Sequence, residues 1–294
     1  MKILVLISVF FSFALPAQVL NNQLGNAFTD KPFFNEDFIK TNKVKKLTGY
    51  YTYKKRGELM KETAYKYEYQ FDQEGHLILT FETKADDGTS DTTWNLYEYN
   101  NTGKLAVHRK TEQEGLNAIY YEYDSLNRLI SEEFKREIDT GNHVIIQSLS
   151  FNKETIEYKN PKPHLKRTRF NNYDLPYLDE FFHYNELGYL VERIERIKMT
   201  SDVYTYHYEY DKNGKLAAIK KSSNRKDGYL EEMYFKYDEL GNLIEKHLYK
   251  DGVFTTDYQI IYNSKTKLLA TVITRQVSTG FLMILRFKDY EFYN

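Results

Sequence analysis

Residues 208–216 read YEYDKNGKL, and this nine-residue phrase recurs along the chain. Its pattern is aromatic, any residue, aromatic, Asp or Asn, two residues, Gly, one residue and Leu. The Asp or Asn recurs every 24 to 28 residues, at positions 72, 100 and 124 and again at 185, 211, 238 and 263. Such a period indicates an array of similar structural units. Further copies, the last of them degraded, occupy residues 51–59, 69–77, 97–105, 121–129, 182–190, 235–243 and 260–268.

The Asp and Gly of the phrase predict a tight turn between two antiparallel strands. An Asp side chain at the start of a type I turn can accept hydrogen bonds from backbone N–H groups just ahead of it. The Gly supplies the positive φ that closes a three-residue hairpin loop. In that geometry Tyr210 faces Leu216, and each such pair contributes roughly 0.2–1 kcal/mol. The same offset pairs Tyr53 with Leu59, Phe71 with Leu77, Tyr99 with Leu105, Tyr123 with Leu129, Tyr184 with Leu190, Tyr237 with Leu243 and Tyr262 with Leu268.

These positions are therefore predicted to be structural rather than catalytic. The structural repeat residues are Phe71, Asp72, Gly75, Leu77, Tyr99, Gly103, Leu105, Tyr123, Asp124, Leu129, Tyr184, Gly188, Leu190, Tyr210, Asp211, Gly214, Leu216, Tyr237, Asp238, Gly241 and Leu243.

A second turn signal lies about halfway through each repeat, as at residues 251–252 and 278–280. Each repeat then holds two strands and two turns, and the array predicts about 16 strands. We expect an all-β fold, an antiparallel up-and-down meander that forms one large twisted, curled sheet. Curling is expected because strongly twisted open sheets rarely exceed about ten strands.

The repeats resemble the YD repeats of rearrangement-hotspot (RHS) and teneurin-type proteins over most of residues 48–270. The resemblance implies a spiralling β-sheet, which in long arrays closes into a hollow shell around a toxin or other cargo. This chain is too short for a full shell, has no toxin domain after the array and lacks the Asp-Pro-x-Gly segment linked to self-cleavage. Cargo encapsulation and autoproteolysis are therefore not expected.

The chain divides into three parts. Residues 1–17 combine a lysine, a short apolar run and Ala17, which predicts a secretory signal peptide rather than an uncleaved anchor. Residues 18–42 are a polar leader, in which Asn35 is expected to cap one short helix. Residues 43–294 form the YD-repeat domain, with an irregular insert at 131–180. That insert contains three of the five prolines and is expected at an edge or in a long loop.

Composition limits the possible partners and compartments. With 41 basic and 42 acidic residues, the chain lacks the basic excess of a nucleic-acid binder. No further apolar stretch is long enough for a membrane helix, so the mature chain is not expected to span a membrane. Cysteine is absent, so disulfides contribute nothing. We expect export to the periplasm, the cell surface or the medium, with a glycan or a cell-envelope protein as the partner class.

No catalytic, cofactor or metal site is predicted. None of the seven histidines has metal-ligand spacing to another, and nucleophile and phosphate-loop motifs are missing. The candidate anion contact is a local basic run that includes Lys162, Lys166, Arg167 and Arg169. The alternative is a solvated loop or edge strand that its charges and prolines protect from aggregation.

The first aromatic of each phrase lies on the same strand face as the second. If the sheet curls, this face becomes the concave interior, used either as core or as a platform on which sugars or peptides stack. The leading hypothesis is a non-enzymatic scaffold or binding surface for an extracellular polymer or protein. Alternatives are a polysaccharide hydrolase with concave-face carboxylates and an outer-membrane β-barrel.

Overall fold

The computed structural model describes residues 18–294 apart from 87–88, 113–114, 141–143, 160–163, 226–227 and 229, and it leaves the side chains of 84–91 undescribed. The predicted signal peptide, residues 1–17, lies outside the described residues. Over the described part, the chain forms one short helix, α1 (Glu36–Thr41), and 18 strands. The strands are β1 (Val44–Lys54), β2 (Lys61–Phe71), β3 (Leu77–Asp86), β4 (Thr89–Tyr99), β5 (Leu105–Glu112), β6 (Gly115–Tyr123), β7 (Leu129–Asp139), β8 (Ile145–Lys159), β9 (His164–Phe170), β10 (Pro176–Tyr184), β11 (Leu190–Ile197), β12 (Val203–Tyr210), β13 (Leu216–Ser223), β14 (Glu231–Tyr237), β15 (Leu243–Lys250), β16 (Val253–Tyr262), β17 (Leu269–Gln276) and β18 (Phe281–Phe292).

The strands form one closed β-barrel. Each strand pairs antiparallel with the next along the chain, and β18 pairs back with β1. The prediction of an all-β antiparallel meander is confirmed, but the expectation of an open curled sheet is wrong. Closure satisfies the backbone groups of β1 and β18, which an open sheet would expose as edges.

Asp and Asn side chains close the turns at one end of the barrel, which we call the Asx end. After β12, Oδ1 of Asp211 accepts from the backbone N–H of Asn213 at 2.8 Å and of Lys215 at 2.9 Å. Gly214 lies between them with φ +74°. The repeated carboxylates and amides therefore cap turns. The same pair of bonds forms at this end at Asp72, Asn100, Asp124 and Asn185. It also forms at Asn171, in the turn after β9 at the opposite end.

The ladder register places Tyr210 opposite Leu216. Five further pairs have the same register: Phe71 with Leu77, Tyr99 with Leu105, Tyr123 with Leu129, Tyr184 with Leu190 and Tyr237 with Leu243.

The first and last copies of the phrase depart from this register. Tyr53 lies opposite Lys61, and Leu59 is 88% exposed, so the predicted Tyr53–Leu59 pair is wrong. The reason is that this copy has a lysine where the others have Asp or Asn, so it lacks the side-chain acceptor that closes the turn. Tyr262 lies opposite Leu269 instead of Leu268, because the last turn contains one more residue.

The second tyrosine of the phrase also ties neighbouring repeats together. The hydroxyl of Tyr237 donates to the backbone carbonyl of Leu216 in the preceding repeat, at 2.9 Å. Across the seam, the Tyr293 hydroxyl donates to the carbonyl of Phe71 at 2.6 Å. We call this set of bonds the tyrosine ladder. Its other members from the phrase are Tyr99 to Leu77, Tyr123 to Leu105, Tyr210 to Leu190 and Tyr262 to Leu243. Like Tyr293, two more tyrosines outside the phrase make the same bond: Tyr158 to Leu129 and Tyr290 to Leu269.

Residues 18–43, which we call the inner segment, pack inside the barrel. Phe34 makes edge contacts with Tyr69 and Phe71, with ring centroids 4.9 and 5.0 Å apart. On the other side, Phe28 stacks on Tyr258. The predicted short helix is confirmed within this segment: Asn35 accepts from the N–H of Phe38 and caps α1.

Polar bonds fix the inner segment to opposite parts of the wall. The N–H of Val19 donates to Oδ1 of Asn242 at 3.1 Å, near the Asx end of β15. Across the interior, Asp30 pairs with Lys110 of β5 at 2.8 Å. The hydrophobic core therefore lies between the inner segment and the wall, not between two sheets.

The stretch 131–180 belongs to the same wall, where it supplies most of β7, together with β8, β9 and the first residues of β10. Pro176 begins β10, whereas Pro161 and Pro163 lie outside the described residues. Searching the described residues yields no helix both long and apolar enough to cross a membrane.

Candidate functional site

Side chains of each strand alternate between the interior and the exterior. On β2, Tyr65, Tyr67 and Tyr69 pack into the core. The residues between them, Lys66 and Glu68, therefore point outward, and they pair with each other at 2.9 Å. The barrel thus encloses an aromatic interior within a charged outer face.

Most of the first aromatics of the phrase are packed rather than open. Tyr51, Tyr69, Tyr97, Tyr208 and Phe235 are between 4% and 9% exposed. The inner segment covers several of these rings, so this part of the predicted concave face serves as core.

A cleft of about 510 Å³ stays open at the Asx end, between the inner segment and the turns that follow β10 and β12. We call it the tyrosine cleft. Tyr184, Tyr189 and Tyr210 line one side, and the ring centroids of Tyr189 and Tyr210 lie 4.8 Å apart. Residues 18–24 contribute the other side, with Gln18 and Asn22 among them.

The tyrosine cleft combines ring surface with unused hydrogen-bonding groups. The Tyr210 hydroxyl belongs to the tyrosine ladder. Within the described part of the chain, the hydroxyls of Tyr184 and Tyr189 and the side-chain amide of Asn213 have no hydrogen-bond partner. Rings beside free hydroxyl and amide groups suit a ligand with apolar faces and many hydroxyls.

The cluster at β7–β10 holds the residues predicted to contact anions. Nη1 of Arg169 lies 2.5 Å from Glu132 and 3.2 Å from Glu154, and its Nε lies 3.1 Å from Glu180. Arg167 also binds Glu180, at 2.5 Å.

Neighbouring carboxylates engage every described member of the predicted anion contact. Besides the two arginines, Lys166 pairs with Asp179 at 2.9 Å, and Lys162 lies outside the described residues. Because carboxylates already compensate these cations, an external anion would have to compete with them.

The same cluster bears on the hydrolase alternative, because interior carboxylates do converge there. A glycosidase acid needs a raised pKa so that it is protonated in use. Burial raises the pKa of Glu180, but the bonds and charges of Arg167 and Arg169 outweigh burial and hold that pKa below its ordinary value. The cluster therefore favours a structural ion network.

Lys246 is a buried cation that sequence reasoning missed. It is 4% exposed, and its Nζ donates to the carbonyl of Ala27 at 2.8 Å and lies over the ring of Tyr258. Burial lowers the pKa of Lys246 to about 8. Its neighbours Glu245 and His247 are polar too, so the alternation of β15 gives no sign of an inward lysine. Its contacts make it an anchor for the inner segment.

Two described histidines, His164 and His183, pack against each other with ring centroids 4.5 Å apart, and His183 and His207 both lie beside Glu192. His76 binds the turn carboxylate of Asp72 at 2.9 Å, and His108 stacks on Tyr97. Among the residues that the structure describes, no three His, Cys, Asp or Glu side chains are grouped to hold a metal ion.

No family model matches the chain, and a search of curated proteins finds no match. Among solved structures, it is similar to a porin-like protein from Bacteroides uniformis ATCC 8492, with 11% identity, a TM-score of 0.32, and coverage of 72% of this chain and 96% of that one. It is also similar to a porin-like protein from Bacteroides vulgatus ATCC 8482, with 8% identity, a TM-score of 0.31, and coverage of 70% of this chain and 95% of that one. A third similar structure is the Photorhabdus luminescens Tc holotoxin pore, with 12% identity, a TM-score of 0.22, and coverage of 77% of this chain and 14% of that one. These similarities are too low to assign a function.

Closure of the sheet nevertheless distinguishes among the functions that the sequence leaves open. An outer-membrane β-barrel requires a closed antiparallel wall of neighbouring strands, and bacterial examples have an even number of them. The observed 18-strand barrel meets both requirements. It therefore supports the outer-membrane alternative better than the open scaffold. The prediction that the mature chain does not span a membrane is not supported.

Proposed function

We propose that the chain is an exported, non-enzymatic β-barrel of the cell envelope that binds a glycan in the tyrosine cleft. The observation that carries this proposal is the division of the interior. The inner segment fills the aromatic core, while the tyrosine cleft stays open, and the hydroxyls of Tyr184 and Tyr189 have no hydrogen-bond partner among the described residues. A filled interior suits binding better than passage of solutes through the barrel.

The outer face supports a barrel wall in contact with water. Outward ion pairs lie between core-facing residues on several strands: Lys236–Glu245 at 2.7 Å and Arg109–Glu98 at 2.5 Å. A lysine or arginine on the lipid face near the bilayer midplane costs about 2–4 kcal/mol. We therefore propose that the barrel resides in the envelope beside the membrane, with its wall in an aqueous compartment.

The second candidate is a barrel that crosses the outer membrane, which closure and the even strand number favour. Fractionation of cells that express the full chain separates the two. A water-facing barrel is released by osmotic shock or alkaline carbonate, whereas a spanning barrel needs detergent and migrates differently on gels with and without heating. Detergent-only extraction would establish the second candidate.

Binding in the tyrosine cleft is tested with purified mature protein on an array of neutral envelope and extracellular glycans. The variant Tyr189→Ala should weaken binding of any glycan hit about tenfold or more, because it removes a stacking ring and a hydroxyl. The matched control is Tyr173→Ala, a 76% exposed tyrosine in the turn after β9. No glycan hit, or equal affinity of the two variants, contradicts glycan binding in the cleft.

We also propose that the chain is a YD-repeat protein. The Asx turns and the tyrosine ladder support this, because both use the residues that define the phrase. A solved YD-repeat array in which the tyrosine hydroxyls have other partners would weaken the proposal.

A further inference from the structure

Strand β8 is paired unequally on its two sides. It pairs with β7 from Ile145 to Thr155, but with β9 only from Thr155 to Lys159. Over residues 145–154, which we call the open edge, the described structure supplies one neighbouring strand. At about 3.3 Å per residue, this edge is roughly 30 Å long. Half of its backbone N–H and C=O groups face away from β7, as on any edge strand.

The open edge also exposes apolar side chains. Ile146 is 65% exposed, Leu149 is 47% exposed and Phe151 is 64% exposed. The segment from Val144 to Asn152 contains no charged residue, no proline and no glycine. Natural edge strands are usually protected by charges, prolines or bulges that prevent pairing with another chain. Charge and proline are absent here, and the two bulges of the ladder with β7, at Ile146 and Phe151, lie on either side of Leu149. The regular stretch between them is chemically prepared to pair.

We propose that the open edge is a homodimer interface, in which β8 of one molecule pairs antiparallel with β8 of a second copy. Unpaired backbone requires an extended strand as its partner, because only a strand presents matching N–H and C=O groups. Two identical strands that pair antiparallel are related by a two-fold axis, and each meets the same surface on the other.

The charges along β8 fit a second copy. In a register centred on Leu149, Phe151 faces Gln147 and Lys153 faces Ile145 of the other molecule. No like charges meet, and the two Lys153 side chains lie at opposite ends of the interface. Paired apolar side chains at the centre with charges at the ends match the usual layout of a stable interface.

Cysteine substitution tests the interface directly, because the chain contains no cysteine. In the mature protein, Leu149→Cys should give a disulfide-linked dimer under mild oxidation. The matched control is Val253→Cys, which is 64% exposed on β16, away from the open edge. The control should stay mainly monomeric on a non-reducing gel. Equal crosslinking of the two variants would overturn the proposal.

A charge variant tests the same interface in solution. Light scattering coupled to size-exclusion chromatography should show a wild-type dimer with a dissociation constant below about 10 µM. Ile146→Lys with Phe151→Lys should give a monomer, because the two lysines replace the exposed apolar side chains of the edge with charges, which block strand pairing. Val253→Lys should remain dimeric. A monomeric wild type, or a lysine variant that still dimerises, would overturn the proposal, and the cysteine comparison decides the matter if the lysine variant does not fold.

Discussion

Removing one hydroxyl from the tyrosine ladder should destabilise the barrel measurably. In Tyr262→Phe the ring stays, but the bond of 2.8 Å to the carbonyl of Leu243 is lost. Leu243 is 1% exposed, so water cannot readily replace the missing donor. A buried acceptor left without its partner costs about 1–3 kcal/mol. We therefore expect Tyr262→Phe to lower the free energy of unfolding by about 1–2 kcal/mol.

Urea unfolding of the mature chain, followed by circular dichroism, measures this loss. The slope of free energy against urea should stay constant while the midpoint falls, since the surface exposed on unfolding is unchanged. The matched control is Tyr184→Phe, whose hydroxyl has no partner in the described structure. It should shift stability by less than about 0.5 kcal/mol. If the two variants have equal midpoints, the ladder does not stabilise the barrel as reasoned.

Three further predictions concern the turns and the interior. Hydrogen bonds from its own turn and from Arg128 lower the pKa of Asp124 in the folded protein. Its contribution to stability is therefore present above its unfolded pKa and is lost as the pH falls through the folded pKa. Asp124→Asn should make the melting temperature depend less on pH between about pH 5 and pH 2, and an unchanged pH dependence would contradict this. Gly75→Ala should destabilise the protein more than Gly188→Ala. Both residues have positive φ, but a Cβ at Gly75 would clash with the backbone carbonyl of Glu36 in α1, whereas a Cβ at Gly188 would meet no atom within 4 Å. Equal melting temperatures of the two variants would refute this. Arg169→Met should cost about 3–5 kcal/mol in urea unfolding, because it leaves interior glutamates without their shared cation, and a loss under about 1 kcal/mol would show that they find other partners.

The turn chemistry of this chain can be predicted from its sequence because it is local. Asp211 and Gly214 specify a turn within five residues, and the ladder beyond it follows from the offset between Tyr210 and Leu216. The same locality explains the failure at Tyr53. There the aromatic pattern is intact, but the side-chain acceptor is missing, and the register moves.

Closure and the contents of the interior depend on contacts that no local pattern encodes. Whether 18 strands close is decided by their accumulated stagger and tilt. The role of the inner segment is equally hidden, since residues 18–43 have no strand period and their anchors lie far away in sequence, as Val19 and Asn242 do. The tyrosine cleft follows from both, so the sequence supplies its rings at Tyr184 and Tyr210 but not their assembly.

The seam between β1 and β18 has a consequence for how the molecule is made. Tyr50 and Asp289, 239 positions apart, are bonded across it, so the first strand cannot find this neighbour until nearly the whole polypeptide has emerged. Contacts of such long range slow folding, and partly folded sheets meanwhile expose unpaired strand edges that favour aggregation. If the chain is exported as we propose, it would need to stay unfolded until most of it has crossed the membrane, because its first and last strands form their ladder only when both are present.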